Sequence, residues 1–335
     1  MTKVEDVLLF GALALVWGTA FTAIEIGLET LPPLLFAAAR LDIAAVIFIG
    51  AVLLSRLRWL PRTKADLALI LSNGILVIGA HFAFSFIGQS YVTSGVAAII
   101  LSFTPIITPV IAIRVLSTER IYITDIIGLG AGLAGVIAIA IAGGSFDGQL
   151  LGIGLLLASA VVFALGSVLT ERWSAGLPTM ALHAWSMVTG AVFLHATAYA
   201  YSGATFRNVT WTASAAAALT YLGIFATAGG FLLYFTLLNR IGATNISLIN
   251  YAAPVVATVF GAVLLGEQIT IATVTGFALI VVGFVLCNIR PLWRLVQSTR
   301  TIAGSDRVLE RDEVCVQGDV YKTQSDSQNY LQPGD

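Results

Sequence analysis

Charge is what this sequence has least of. Acidic and basic residues make up 10% of its 335 positions, against roughly 25% in ordinary soluble domains. Twelve of the 35 charges fall after Pro291, so the body is poorer in charge than the average. A soluble globule of this length needs a charged surface, and this chain does not have one. Lysine occurs only as Lys3, Lys64 and Lys322, and none completes a Gly-rich phosphate loop, which disfavours an ATP-driven pump. A net charge of −1 without any basic run leaves no nucleic-acid footprint. Two cysteines, Cys287 and Cys315, support neither a disulfide framework nor a thiolate metal cluster. No two histidines have ligand spacing on one helix, so no metal is expected. There is no His-Glu-x-x-His and no recognisable nucleophile motif. Neither an enzyme nor a cofactor is expected.

Apolar residues are what the chain has in excess: 58% of positions, with a mean hydropathy of +0.94. A spanning helix needs about 20 mainly apolar residues. Ten such stretches are legible, at 7–27, 34–55, 66–88, 92–113, 121–142, 150–170, 179–202, 214–239, 243–265 and 270–290. Their stops are Pro32-Pro33, Arg56 to Lys64 around Pro61, Gly143-Gly144, Gly176-Leu177-Pro178 and Gly242. Backbone polar groups must be satisfied within the bilayer, so runs this continuous are helices. The first stretch reads as a span and not as a cleaved leader.

Basic residues orient the spans. With the N-terminus inside, fifteen face the cytoplasm: Lys3, Arg56, Arg58, Arg62, Lys64, Arg114, Arg120, Arg172, Arg240, Arg290, Arg294, Arg300, Arg307, Arg311 and Lys322. Arg207 alone falls in an outer loop. Both termini are then cytoplasmic, and the polar segment 293–335 reads as a disordered cytosolic tail or a docking segment.

The body repeats itself. Span 4 holds Pro105, ends in Val115-Leu-Ser-Thr-Glu119, and is followed by Gly128 and Gly135. Span 9 holds Pro254, ends in Val263-Leu-Leu-Gly-Glu267, and is followed by Gly276 and Gly283. The Glu-to-Gly and Gly-to-Gly spacings are identical, and Ile121 and Ile123 match Ile269 and Ile271. Residues 1–146 and 147–292 therefore read as two copies of a five-helix unit. Five is odd, so the second copy enters from the opposite side. Inverted halves of this kind belong mostly to secondary transporters, with substrate held near the midplane.

These copies, with Trp17-Gly18-Thr19 in span 1, resemble the EamA repeat of the drug/metabolite transporter superfamily over about residues 7–290. Within it the chain is similar to YddG-type amino-acid exporters of bacterial inner membranes, His81 in span 3 included. The resemblance implies a ten-helix basket of inverted repeats around a central cavity. It also implies alternating-access export of amino acids, aromatic or broad-range, and related metabolites. A passive channel, a lipid flippase or an exporter of other amphipathic compounds is the alternative.

Several residues are placed to line such a cavity. Trp17 lies near mid-bilayer, unlike Trp59, Trp173, Trp211 and Trp293 at span ends, and either walls the cavity or packs helices. His81 either lines the pocket or senses protons, or else makes an interhelical hydrogen bond; His183 and His195 lie nearer the span ends. Pro105 and Pro254 in mid-span bend their helices and act as hinges. Beside them lie Leu101, Ser102 and Phe103, and Asn250 and Tyr251. Asn250 is an amide suited to a zwitterion's ammonium or carboxylate. Phe163 is the approximate counterpart of Trp17, and Thr227, Phe231 and Tyr234 are weaker candidates. Glu119 and Glu267 sit at turns and are expected to cap the following helix. Gly128, Gly132 and Gly135 give span 5 a close-packing face. Arg40 either pairs with Glu25 or Glu29 or forms an outer gate, with Asp42 nearby. The partners are a small-molecule substrate and the bilayer, with the chain a monomer or a homodimer.

Overall fold

A computed structural model describes residues 3–55, 58–116, 123–142, 146–173, 176–203, 205–206, 209–287, 313–316 and 319–322. Outside them lie Arg56, Glu119 to Ile121, Gly143-Gly144, Arg207, Trp293 and most of segment 293–335. Within that segment, β1 (Glu313–Val316) and β2 (Asp319–Lys322) pair antiparallel.

The rest is helical. α1 (Lys3–Leu28) and α2 (Pro33–Leu54) are joined by the Pro32-Pro33 turn. α3 (Lys64–Leu71), a π-helical segment (Ser72–Ala80) and α4 (His81–Gln89) run on without a break. α5 (Ser94–Leu101) and α6 (Thr104–Leu116) follow, then α7 (Ile123–Ala142), α8 (Phe146–Arg172) and α9 (Thr179–Ser202). α10 (Ala213–Thr220), a second π-helical segment (Tyr221–Gly229) and α11 (Gly230–Ile246) follow, unbroken as far as Gly242. α12 (Ile249–Leu265) and α13 (Ile271–Cys287) close the series.

Among the described residues, seven helical runs are long and apolar enough to cross a membrane, and α12 and α13 are shorter apolar helices. Large apolar side chains stand outward on them, Val7, Val46, Leu54, Val263 and Ile271 among many. A contiguous apolar exterior is a penalty in water and the normal state in lipid. The chain is a polytopic membrane protein. Its interior is small-grained: α2 packs along α9, with Ala37, Ala38, Ala44, Ala181 and Ala198 buried beside Phe36, Phe48, Met187 and Leu194. Lipid offers helices no hydrophobic drive to associate, so small residues that let backbones approach matter more here than in water.

One local plan occurs twice. Thr63 caps α3 by accepting from the Asp66 amide, and Thr212 caps α10 by accepting from the Ala215 amide. Each cap starts an eight-residue helix that runs into a nine-residue π-helical segment. The spaced glycines of α7 and α13 also meet. A methyl on Gly135 would strike the Gly276 carbonyl, and one on Gly283 would strike that of Gly128. Gly135 thus abuts Gly276, and Gly128 abuts Gly283.

Three expectations change. Span 4 is not one bent helix: α5 ends at Leu101, Ser102 and Phe103 form a turn, and Pro105 lies in the first turn of α6. There a missing N–H removes no helical bond, so proline starts a helix instead of kinking one. The proline inside α6 is Pro109, which the hydropathy pattern did not single out. Pro254, by contrast, does sit inside α12. Span 9 begins later than expected. Gly242 takes φ 79°, open to glycine at little strain, and the helix resumes to Ile246 before α12 starts at Ile249. Finally, Glu267 does not cap α13. Its Oε1 accepts from the Ser94 amide at 2.8 Å and its Oε2 from the Gly95 amide at 3.2 Å, at the start of α5.

Candidate functional site

A cavity of about 220 Å³ lies among α1, α2, α4, α5, α8, α11 and α12. Of the residues singled out from sequence, Trp17, His81, Leu101, Ser102, Phe163, Phe231, Asn250 and Pro254 line it. Phe103 and Tyr251 do not. Phe103 is buried against α7, where a methyl on Gly132 would strike its ring. Tyr251 packs on Phe284 at 4.4 Å between centroids. Pro105 does not line the cavity, though its neighbour Thr104 does. Tyr234 stacks on Trp17 at 5.5 Å, behind the wall.

The π-helical segments explain how the wall is built. Trp17 donates its indole N–H to the Ala226 carbonyl at 3.1 Å, inside the second segment. Gly230, the first residue after that segment, leaves no space for a side chain, because a methyl there would strike the Trp17 ring. His81, the first residue after the other segment, meets Phe163 at 4.9 Å between ring centroids. The larger aromatic faces a glycine and the smaller one faces a histidine.

His81 lines the cavity and also joins two helices. Ser159 Oγ donates to the His81 carbonyl at 2.8 Å and lies 2.7 Å from Nδ1. The hydroxyl proton is therefore spent, and Nδ1 must carry the ring proton and donate to Oγ. The Ser159 carbonyl, 3.4 Å from Nδ1, can likewise only accept. In the neutral ring Nε2 then keeps its lone pair. Asn250 is oriented the same way: Nδ2 donates to the Ser247 carbonyl at 3.0 Å, which leaves Oδ1 as an acceptor.

Of the two expectations for Arg40, pairing with Glu25 or Glu29 is not met. The residue is 5% exposed and lines the cavity. Its Nε and Nη2 both donate to Thr227 Oγ1, at 3.0 and 2.9 Å. Thr227 donates its own proton to the Leu222 carbonyl five residues back, a spacing the π-helix supplies, and so turns its lone pairs toward the guanidinium. The ring of Phe82 lies 4.5 Å from the guanidinium carbon. Asp42 is taken by His195 Nε2 at 2.8 Å, and Glu25 accepts from Gln89 Nε2 at 3.3 Å. His183 packs among Phe48, Phe231 and Phe235. The signal for Arg40 was available in sequence: apart from Arg290 at the very end of the last stretch, it is the one Lys or Arg inside an apolar stretch.

A family model described as "EamA-like transporter family" matches residues 6–141 and again residues 150–289. An uncharacterized transporter, YvbV of Bacillus subtilis, is 30% identical over 86% of this chain and 93% of its own. The Escherichia coli K12 protein named uncharacterized inner membrane transporter YedA is 30% identical over 82% of this chain and 88% of its own. A probable amino-acid metabolite efflux pump of the same strain is 28% identical over 85% and 96%. A solved crystal structure, 22% identical, agrees in fold at a TM-score of 0.60 over 86% of this chain and 98% of its own.

Proposed function

This chain belongs to the EamA-like transporter family, and on that premise we propose that it exports amino acids and related small metabolites by alternating access. Residues 1–146 and 147–292 are the two inverted halves that rock against each other around the cavity. The observation that carries the reading is the cavity itself. Its lining draws on both halves: Trp17, Arg40, His81 and Leu101 from the first, Phe163, Ala226, Asn250 and Pro254 from the second. The twice-used plan of cap, short helix and π-helical segment supports the pairing of halves, as do the reciprocal glycine contacts.

The size of the cavity supports a small cargo. At about 220 Å³ it is smaller than the roughly 300–1,000 Å³ of drug-sized sites. Rings of Trp17, Phe21, Phe82, Phe163 and Phe231 give it an apolar body, and Arg40, His81 and Asn250 give it polar ends. The turn ahead of Pro105 at the head of α6 and Pro254 inside α12 are the hinge points of the two halves. The bacterial inner membrane, with both termini cytoplasmic, is the location that fifteen basic residues on one side and one on the other support. The amino-acid cargo draws on the relatives named as amino-acid metabolite efflux pumps.

Counterflow tests this. The full chain in proteoliposomes is preloaded with one unlabelled amino acid at a time, and labelled uptake is followed with and without a pH gradient. Saturable, trans-stimulated uptake is expected for a subset of the panel. Linear, unsaturable flux would identify a channel, and no flux for any amino acid would remove the cargo assignment.

A further inference from the structure

A cation taken out of water is expensive, and structures normally pair it with a carboxylate. Arg40 departs from that. It is buried, yet no Asp or Glu among the described residues lies within 4.0 Å of it. Asp42, two residues on, is engaged with His195, and Glu25 with Gln89. Nor is the site lined by any other charged residue. One positive charge therefore faces about 220 Å³ of cavity with no fixed negative charge in the wall.

What the protein does supply to Arg40 is orientation more than neutralisation. Thr227 Oγ1 accepts from Nε and Nη2, which fixes the plane of the guanidinium along one edge. Among the described residues no acceptor meets Nη1. Phe82 packs on the face of the group, an attraction that favours the cation without removing its charge. A planar fork, clamped on one edge and open on the other, is suited to a bidentate oxyanion.

We propose that Arg40 is the anchor for the carboxylate of the transported solute, with Thr227 as its positioning residue. The solute is thereby a monocarboxylate or a zwitterion, because a single cation balances a single negative charge. A zwitterion gains further. His81 Nε2 and Asn250 Oδ1 are acceptors in the same lining and receive an ammonium that Arg40 itself repels. The identification of the solute as transported rests on the preceding reading; its binding through Arg40 does not.

The test separates the two. The probes are L-leucine, 4-methylpentanoate (no ammonium), L-leucinamide and 3-methylbutylamine (no carboxylate), and chloride. Thermal stabilisation of the purified full chain reports binding, and counterflow in proteoliposomes reports transport. Leucine and 4-methylpentanoate are expected to bind the wild type about 10- to 100-fold more tightly than the two carboxylate-free probes, the worth of hydrogen bonds to a charged partner. Arg40→Gln should erase that ratio, Arg40→Lys should keep part of it, and Thr227→Val should reduce it with the charge still present. The wild-type ratio decides the matter alone where a variant fails to reach the membrane. Leucinamide binding within threefold of leucine, chloride as the only ligand, no carboxylate binding at all, or an undiminished ratio in Arg40→Gln each overturns the anchor. Carboxylates that bind through Arg40 but show no counterflow would remove the transport reading and leave the anchor. Leucine counterflow that Arg40→Gln leaves intact would do the reverse.

Discussion

The Glu267 carboxylate bridges parts of the chain 173 residues apart, and its removal has a calculable effect. At the start of α5, Ser94 and Gly95 offer their amides to Glu267, Val96 offers its amide to Thr93 Oγ1, and Ala97 bonds the Thr93 carbonyl. Every first-turn donor is satisfied, and Ser94 is fully buried. Glu267→Ala strips two of these donors and removes a negative charge from a helix N-terminus. The expected loss is about 2–5 kcal/mol, or a melting temperature lower by roughly 5–15 °C. Glu267→Gln keeps one acceptor and should lose about half as much. Gly261 gives an independent route to the same contact. A methyl there would strike Glu267 Oε2 and meet Ser94 Oγ, so Gly261→Ala displaces the carboxylate without changing it. Because both variants remove one contact, their double mutant should fall short of additivity by about 1 kcal/mol or more. Melting of the purified chain in micelles, with hydrogen exchange across Ser94–Val96 as the local readout, measures this. A change below 1 °C in Glu267→Ala, or strictly additive losses, would refute the clasp.

Other variants probe the cavity wall. Gly230→Ala should push the Trp17 ring aside and break its bond to Ala226, lowering transport several-fold while membrane insertion continues; wild-type counterflow would show that the ring adapts. Ser159→Ala removes the group that fixes the His81 tautomer, so its imidazole NMR signals should change from one tautomer to a mixture; an unchanged pattern would mean that another group sets it. Pro254→Ala restores a bond inside α12 and should slow exchange with binding kept, whereas Pro105→Ala, at a helix start, should have the smaller effect. Equal effects would remove the distinction drawn from their positions. A reporter fused after Asp335 should be active in the cytoplasm, and periplasmic activity would reverse the orientation.

Much of this was legible in sequence because hydropathy and spacing are local. The apolar stretches marked the helices, Gly242 marked a true break, and Trp17, His81, Phe163 and Asn250 line the cavity. What failed depended on residues distant in the chain. Nothing local tells Glu267 to cap α5 instead of α13, since both helix starts lie within reach of a turn. Phe103 and Tyr251 follow helix phase, and the phase of α5 ended at a turn that hydropathy does not register. For Arg40 the sequence offered a carboxylate partner or an outer gate, the first because isolated charges usually find one. Its partner proved to be a threonine whose lone pairs are aimed by π-helical geometry, and apolar periodicity carries no sign of that geometry.

The two π-helical segments also make the cavity depend on a residue count. An α-helix turns about 100° per residue, and each segment holds its flanking α-helices at an offset from that rhythm. Regular α-helical winding of all nine residues of Ser72–Ala80 would take up that offset. The four cavity residues of α4, His81, Phe82, Ser85 and Gln89, would then rotate together by about a quarter turn relative to α3. The span would stay apolar, helical and about as long. No side chain would have been replaced, yet the histidine, the ring beneath the guanidinium and the amide holding Glu25 would all face elsewhere. Deleting one residue within the segment removes the surplus instead, and would leave those side chains close to their places on the cavity.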